Sequence, residues 1–405
     1  MNKLLATLAF LLISFLIYGF SISQFELNFI QRKVKTSDFY YDYKLTMNMH
    51  TNLSIGSEPL SIVLAEAKKA QNKFIMITDL NPQIKSPADS YLHNTGVLHG
   101  AKYGYKDSRL IYYSPNVKNL GLKRGESQLF LSDLLTQETT KNSDSLLILA
   151  HPFKTGFAWK GPVQDGLDGM EIANLKSMSQ QSWRNSRLST IWSILLYPFN
   201  PKLALMRLFQ EPTEELLMFD EVSQRRKFVA FQGAEASARA IPLTDWLVKF
   251  PSYESVLSIS SNHLLLTSEL TGNMGKDKHK ILSALKSGQF YICFDALGDP
   301  KGFETYIFDD ILQKRYSMGA AINGSKKRSN KLQLYFKLPV EPTSFYEVVL
   351  LKNGVRADTL NTFEGVFPIQ GAGVYRLQVR ISTRLPLPDA IKWLTWIYTN
   401  NFYVI

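Results

Sequence analysis

The sequence predicts an α/β fold, because apolar segments typical of fully buried strands alternate with a helical pattern. Residues 58–70 carry apolar side chains at helical spacing, and "FIMIT" at 74–78 is a short apolar strand. A strand, a helix and a second strand in close succession are typical of a parallel βαβ unit. Three more apolar runs continue the pattern, at 145–152, 167–174 and 227–237.

Each of these runs ends in an ionisable residue: Asp79, His151, Glu171 or Glu235. In a closed parallel α/β barrel the carboxyl ends of the strands carry the chemistry, so these side chains would share one mouth. We therefore expect a β/α barrel over residues 45–298, preceded by a connector over residues 24–44.

The pattern changes after residue 300. The segments "KLQLYFKLP", "YEVVLLKNGV" and "GVYRLQVRI" alternate with period two, and Asn353-Gly354 is a hairpin-turn pair. Alternation with such turns predicts half-buried antiparallel strands. We expect residues 299–405 to form a small antiparallel β-sandwich domain, which serves as a packing or protein-binding module.

Residues 1–23 are predicted to be a transmembrane anchor or a signal segment. Leu4 to Ile22 is almost wholly apolar and has about the length of a membrane-spanning helix. We favour an uncleaved anchor over a cleaved signal, because Ser21-Ile22-Ser23 is a mediocre cleavage site. Lys3 on one side faces Lys33 and Lys35 on the other, so the charges leave the orientation open. Export is the usual fate of such a leader and favours an extracytoplasmic body.

Residues 188–210 are an apolar insertion interrupted by Pro198 and Pro201. The segment is too interrupted to span a bilayer. We expect a helix pair packed on the barrel, and the alternative is a hairpin that rests on the membrane surface.

The composition excludes a disordered chain, since 45% of residues are hydrophobic and 20% are charged. The net charge of +11 favours anionic partners, such as phosphate groups or an acidic membrane surface. Basic clusters at 225–227 and 326–328 are typical of a solvated surface, so no specific nucleic-acid partner is expected. The single Cys293 excludes an internal disulfide.

The run "MNMHTNLSIGSEPLSIVLAEAKKAQNKFIMITDLN" resembles the opening of the PHP (polymerase and histidinol phosphatase) family. That family's pattern is His-x-His-Thr, Ser-Asp-Gly, a helix and Ile-Thr-Asp-His-Asn. The segments "LAHP", "GLDGMEIAN" and "GAEAS" follow in order, and the tail resembles the β-domain of some exported bacterial members. The resemblance covers about residues 45–405 and implies a distorted β/α barrel that binds up to three divalent metals and hydrolyses phosphoesters.

The resemblance also implies which residues stand at the metal-ligand positions. His50 and His151 keep histidine at two of them, and Glu235 stands where the family has an aspartate. The remaining positions hold side chains that are weak ligands or none: Asn48, Ile55, Leu80, Lys102, Arg109 and Ser237. Asp79 precedes a ligand position and is expected to orient the loop, while Glu171 is expected to support the barrel rim.

Three donors would suffice for one catalytic zinc. A cation about 4 Å from a divalent ion, however, costs roughly 8 kcal/mol at an effective dielectric near 20. Lys102 and Arg109 therefore predict that the metals have been lost. Two roles remain open for these cations: they pair with the carboxylates of Glu235 and Asp79, or they grip a phosphate or carboxylate ligand.

The sequence thus predicts a membrane-anchored, non-catalytic binding or scaffolding protein of the bacterial cell envelope, with a degenerate metallophosphoesterase centre and no cofactor. The alternative is a phosphoesterase that uses one zinc, manganese or iron ion held by His50, His151 and Glu235. A third alternative is a purely structural envelope protein whose insertion and β-domain contact other chains.

Overall fold

The computed structural model describes residues 2–32, 39–82, 87–116, 122–137, 144–239, 241–243, 246–324, 331–387, 389 and 391–405. Lys33, Lys35 and the predicted basic cluster at 326–328 lie outside these ranges, as does part of the predicted connector.

The described residues form nine helices: α1 (Asn2–Ile22), α2 (Leu60–Lys69), α3 (Arg124–Thr136), α4 (Leu175–Asn185), α5 (Arg187–Leu196), α6 (Pro201–Arg207), α7 (Thr213–Ser223), α8 (Tyr253–Leu257) and α9 (Met274–Ser287).

The strands of the first three-quarters of the chain are β1 (Phe29–Ile30), β2 (Tyr41–Met49), β3 (Phe74–Ile77), β4 (Ser90–Leu92), β5 (Thr95–His99), β6 (Ala101–Tyr105), β7 (Ser108–Tyr113), β8 (Leu146–Ala150), β9 (Gly169–Asn174), β10 (Val229–Gly233), β11 (Ile241–Leu243), β12 (Trp246–Val248), β13 (Ser261–Leu266) and β14 (Phe290–Cys293). The remaining strands are β15 (Glu304–Asp309), β16 (Lys314–Tyr316), β17 (Ala321–Ile322), β18 (Leu332–Lys337), β19 (Glu341–Pro342), β20 (Tyr346–Lys352), β21 (Val355–Leu360), β22 (Glu364–Pro368), β23 (Gly373–Arg384), β24 (Ile391–Thr399) and β25 (Phe402–Val404).

The predicted βαβ unit is confirmed. β2 and β3 pair in parallel, and α2 connects them with Val63, Leu64 and Ala67 buried. Each of the predicted apolar runs contains a strand whose residues are all buried, namely β3, β8, β9 and β10. The fold is therefore mixed α/β, as the buried runs indicate.

The described strands do not close into the predicted barrel. β2, β3 and β5 belong to one sheet, and β6 to β10 form a separate five-stranded sheet. The two sheets meet at isolated bridges, Met49 with Ala236 and Leu80 with Lys102. Near these bridges β2 carries a register shift between Thr46 and Met49, and β6 pairs with β7 as an antiparallel hairpin.

The predicted β-sandwich is not a free-standing pair of sheets. β24 pairs with β14, so the strands β20, β21, β23, β24 and β25 continue the first sheet, which reaches twelve strands. β16, β15, β18 and β22 form a second, four-stranded sheet. An unpaired edge at β14 would expose backbone hydrogen-bonding groups, and the C-terminal strands cover that edge. The predicted Asn353-Gly354 hairpin is confirmed, between β20 and β21.

The N-terminal helix α1 is long and apolar enough to be a membrane span or a signal sequence. Its last turns contact the apolar insertion: the Phe15 ring lies 5.6 Å from the rings of both Trp192 and Phe199. The side-chain amide of Asn200 donates to the carbonyl of Ile22 at 3.0 Å. Membrane insertion itself stays a prediction.

The insertion forms the helix pair α5–α6, as expected. Its inner residues Leu196 and Leu203 are fully buried. Leu188, Ile191 and Leu195 on α5 are exposed. One helix pair therefore combines a packed inner face with an apolar outer face beside α1.

Candidate functional site

The carboxyl ends of β2, β8, β9 and β10 meet at one edge of the molecule. His50 follows β2, His151 follows β8, and Glu235 follows β10, because parallel strands end on the same side. The backbone amide of His50 donates to the carbonyl of Ala236 at 2.9 Å, which fixes the first loop against the last. The structure thus brings together residues that are far apart in the sequence.

Glu235 is the electrostatic centre of the site. Its Oε1 lies 2.5 Å from the Nζ of Lys154 and 3.5 Å from the Nζ of Lys102. All three side chains are buried, with Lys102 only 2% exposed. Burial alone raises the pKa of Glu235, but Lys102 and the other cationic groups outweigh burial and hold that pKa well below its usual value. Glu235 is therefore a carboxylate at neutral pH.

A second carboxylate, Glu171, is held on the other side of Lys102. Lys102 donates to Oδ1 of Asn48 at 3.2 Å, and Asn48 donates to Oε1 of Glu171 at 2.7 Å. The backbone amide of His151 donates to Oε2 of Glu171 at 2.9 Å. A Cβ atom on Gly233 would lie 1.7 Å from Oε1 of Glu171, so this carboxylate occupies the space that only glycine leaves.

A third lysine, Lys176, lies in the first turn of α4. Its Nζ donates to Oγ of Ser237 at 2.8 Å, and it makes no ion pair among the described residues. Burial lowers the pKa of Lys176 to about 8, and Glu235 opposes that shift. Burial raises the pKa of Glu171 and lowers that of Lys102. With both groups ionised, three ammonium groups meet the carboxylates of Glu171 and Glu235, and the site carries an excess of positive charge.

The two histidines are neutral. Burial, reinforced by Lys102, lowers the pKa of His50 well below its usual value and that of His151 to about 3. Neither ring nitrogen of His50 has a hydrogen-bond partner among the described residues, and the same holds for Nδ1 of His151. Nε2 of His151 lies 3.7 Å from Oε2 of Glu235. Unpartnered buried polar atoms are costly and are rare outside functional sites.

The backbone of the site is strained. Asn48, His151 and Glu235 have φ values of 58°, 33° and 47°, in the left-handed region. Each such non-glycine residue costs on the order of 1–3 kcal/mol, and such residues cluster at functional sites. These three residues lie around Lys102: its Nζ donates to Asn48 and lies 3.5 Å from Glu235, which in turn lies 3.7 Å from His151.

Asp79 and Arg109 do not take the roles of ion-pair partners that the sequence suggested. Asp79 accepts hydrogen bonds from the amide and hydroxyl of Thr51, both at 2.7 Å, and from the hydroxyl of Ser54. It therefore orients the glycine turn. The guanidinium of Arg109 lies 4.3 Å from the ring centre of Phe157 and makes no ion pair with a described carboxylate. Arg109 therefore stacks on an aromatic ring, as guanidinium groups often do. The cations that pair with Glu235 are lysines.

The sequence analysis missed Lys154 and Lys176. Lys154 lies in the turn after His151, where its amide donates to the His151 carbonyl at 3.0 Å. Lys176 lies two residues beyond Asn174, whose side chain caps α4. The available signal was position: both lysines follow strand ends by a few residues, and parallel strand ends converge.

The metal centre that the resemblance implies does not fit these residues. His50, His151 and Glu235 remain as donors, but the ammonium groups of Lys102 and Lys154 lie within 3.5 Å of Glu235. Among the described residues, no group of three or more His, Cys, Asp or Glu side chains is arranged to hold a metal ion. No reaction step is therefore assigned to a metal in this chain.

No family model and no curated protein matches this chain. Among solved structures it is similar to a two-domain protein from Bacteroides vulgatus said to contain a predicted PHP-like metal-dependent phosphoesterase. The identity is 11%, the TM-score is 0.40, and the match covers 92% of this chain and 98% of that one.

A proposed metal-dependent phosphoesterase from Bifidobacterium adolescentis is also similar. The identity is 11%, the TM-score is 0.29, and the match covers 53% of this chain and 95% of that one. These values are too low for either likeness to establish a family or an activity for this chain.

Proposed function

We propose that this chain is a membrane-anchored, non-catalytic protein that binds an anionic ligand at the site around Glu235. The observation that carries the proposal is the placement of Lys102 and Lys154 on Glu235, with Lys176 close by and without a carboxylate partner in the part of the chain that the structure describes. An anion accepted by these lysines would balance the excess positive charge.

The lysines also argue against a hydrolase. A metal-activated water needs a divalent ion, and two ammonium groups within reach of the same carboxylate repel such an ion. His50 and His151, both neutral and buried, remain able to donate or accept hydrogen bonds to a bound anion. In this proposal the polar residues at the carboxyl ends of the strands bind an anion and do not hold a catalytic metal.

Membrane attachment completes the proposal. α1 is exposed along most of its length and packs on α5 only through its last turns. We propose that α1 anchors the body at a membrane of the bacterial cell envelope, with the body outside the cytoplasm. The binding site then lies in a domain held close to the bilayer.

Thermal unfolding of the full chain in detergent, with increasing inorganic phosphate, tests the anion site. A ligand that binds only the folded state stabilises it by about 2.7 kcal/mol at a hundred times its Kd. We expect the melting temperature of the wild type to rise with phosphate, and the rise to vanish in Lys176→Met. Lys68→Met on the exposed face of α2 removes the same charge and should keep the full rise.

A wild type that phosphate leaves unchanged, or a Lys176→Met variant that responds like Lys68→Met, would exclude the anion site. Metal content of the purified chain tests the remaining alternative, which rests on the His50 ring nitrogens, both without a hydrogen-bond partner among the described residues. Stoichiometric zinc, manganese or iron that disappears in His50→Ala and His151→Ala would establish a metalloenzyme instead.

A further inference from the structure

A cavity of about 450 Å³ adjoins the candidate site on its α4 side. It lies between α4, α5, α6, α8 and the segment that follows β10, and Lys154, Lys176, Glu235 and Ser237 line one end. Volumes of about 300 to 1,000 Å³ are typical of small-molecule pockets.

Most of the remaining lining is apolar, and its other polar members are Ser179, Gln180, Thr190 and Arg239. The walls include Met178, Ile194, Leu205, Phe209, Phe250 and Val256. Phe209, Leu205 and Met178 are buried, so much of this apolar surface belongs to the protein interior rather than to an open face. The cavity therefore has one cationic end and one long apolar part, which matches an amphipathic ligand with an anionic head.

The apolar part of the cavity reaches the exposed face of α5, beside α1. Ile194 lines the cavity and is also 45% exposed, and its neighbours Ile191 and Leu195 on α5 are exposed too. α5 contacts α1, where the Phe15 ring lies against Trp192. A molecule that leaves the bilayer beside α1 would thus meet apolar surface from the membrane to the cavity.

We propose that the cavity binds a long-chain fatty acid taken from the membrane, with its carboxylate at Lys176 and Lys154 and its chain along α4–α6. The ligand class follows from two features. At the cavity itself the cations Lys154, Lys176 and Arg239 outnumber the one lining carboxylate, Glu235, which favours an anionic head group. The mostly apolar wall favours a hydrocarbon chain over a polar tail. This inference rests on the proposed anion site and names its ligand.

Photolabelling tests the inference. The full chain is reconstituted in phosphatidylcholine vesicles with a palmitic acid that carries a diazirine in mid-chain, and labelled peptides are mapped. We expect labels in α4–α6, displaced by palmitate but not by hexadecanol, which lacks the charge. Met178→Trp fills the cavity and should reduce these labels at least tenfold, whereas Ile62→Trp, on the exposed face of α2, should not.

Lys176→Met is a second variant that changes the cationic end of the cavity and leaves its apolar walls intact, and we expect it to reduce labelling at least fivefold. Labels confined to α1, equal displacement by hexadecanol, or full labelling of Lys176→Met would each overturn the fatty-acid assignment. Phosphate-dependent stabilisation without labels in α4–α6 would leave the anion site standing and refute this ligand. Loss of both responses would refute the anion site as well.

Discussion

Two clusters of charged residues in this molecule differ in their charge balance, one around His263 and the other around Glu235. Around His263, two cations face two carboxylates: Nδ1 of His263 lies 2.8 Å from Asp42, and Nζ of Lys44 lies 2.8 Å from Asp295. Nε2 of His263 lies 3.5 Å from Asp295, which closes the set. Burial lowers the pKa of His263, but the two aspartates outweigh burial and raise it to about 9, so the cluster is balanced with the ring protonated.

The candidate site is unbalanced in comparison. Its histidines are neutral, and its ammonium groups outnumber its carboxylates. Asp42, Lys44 and His263 lie in regular paired strands, whereas Asn48 and Glu235 have left-handed backbones. The comparison teaches that buried charge alone does not mark a site. Excess charge on a strained backbone does, because a ligand can complete it.

Glu235→Gln should produce the largest difference between the two clusters. The variant leaves Lys102 and Lys154 buried without their carboxylate, and breaking a buried pair in this way costs about 3–5 kcal/mol. We expect the free energy of unfolding, measured with urea, to fall by that amount. Inorganic phosphate should restore part of the loss, because an added anion takes the place of the carboxylate.

Asp295→Asn is the matched control in the balanced cluster. It also removes a buried carboxylate that accepts from Lys44. We expect a loss of stability there too, but less recovery with phosphate, since Asp42 and Asp299 still line the cavity beside Lys44 and repel an added anion. Equal recovery of both variants would mean that phosphate acts on the whole protein rather than at the candidate site.

The sequence patterns predict the buried strands but not how those strands pair. Apolar runs with polar ends predicted β3, β8, β9 and β10, because full burial leaves a plain apolar signature. Barrel closure is not confirmed among the described strands, where isolated bridges join the two sheets, because closure depends on which strand edges pair. Strand order is a long-range property that local patterns do not encode.

For the site, the sequence found the region but misjudged its partners. His50, His151, Glu235 and Lys102 lie together, and these were singled out from the resemblance. Lys154 and Lys176 have no pattern of their own, because a lysine after a strand usually lies on the surface. Only the convergence of chain segments far apart shows that they surround one carboxylate.

The pH dependence of stability should separate the clusters next. The pKa of His263 is about 9 in the folded chain and roughly 6.5 unfolded, so protonation stabilises the fold. This contribution is complete below pH 6.5 and is lost as pH rises through about 9. We expect a loss on the order of 3 kcal/mol in the free energy of unfolding across this interval.

His263→Gln should remove most of that slope, since glutamine at position 263 does not titrate between pH 6.5 and 9. His279→Gln on α9 serves as the control and should keep the slope of the wild type. A wild type whose stability stays constant from pH 6.5 to 9 would mean that the aspartates do not hold a proton on His263.

Lys176→Met should change the free energy of unfolding least, and the sign of that change distinguishes a ligand-binding lysine from a structural one. The pKa of about 8 shows that the fold disfavours the charged form of Lys176, although the ammonium group gains a hydrogen bond to Ser237. Replacing it with an apolar side chain of similar length should therefore raise the free energy of unfolding by about 1 kcal/mol. Lys44→Met, in the balanced cluster, should lower it by about 1–3 kcal/mol, because Asp295 then loses the ammonium group that lies 2.8 Å away and keeps His263 and the Ser261 hydroxyl. Urea titrations at neutral pH measure both changes in the free energy of unfolding. Changes of opposite sign are expected if Lys176 serves a ligand and Lys44 serves the fold. A loss of stability in both variants would mean that Lys176 stabilises the fold as Lys44 does.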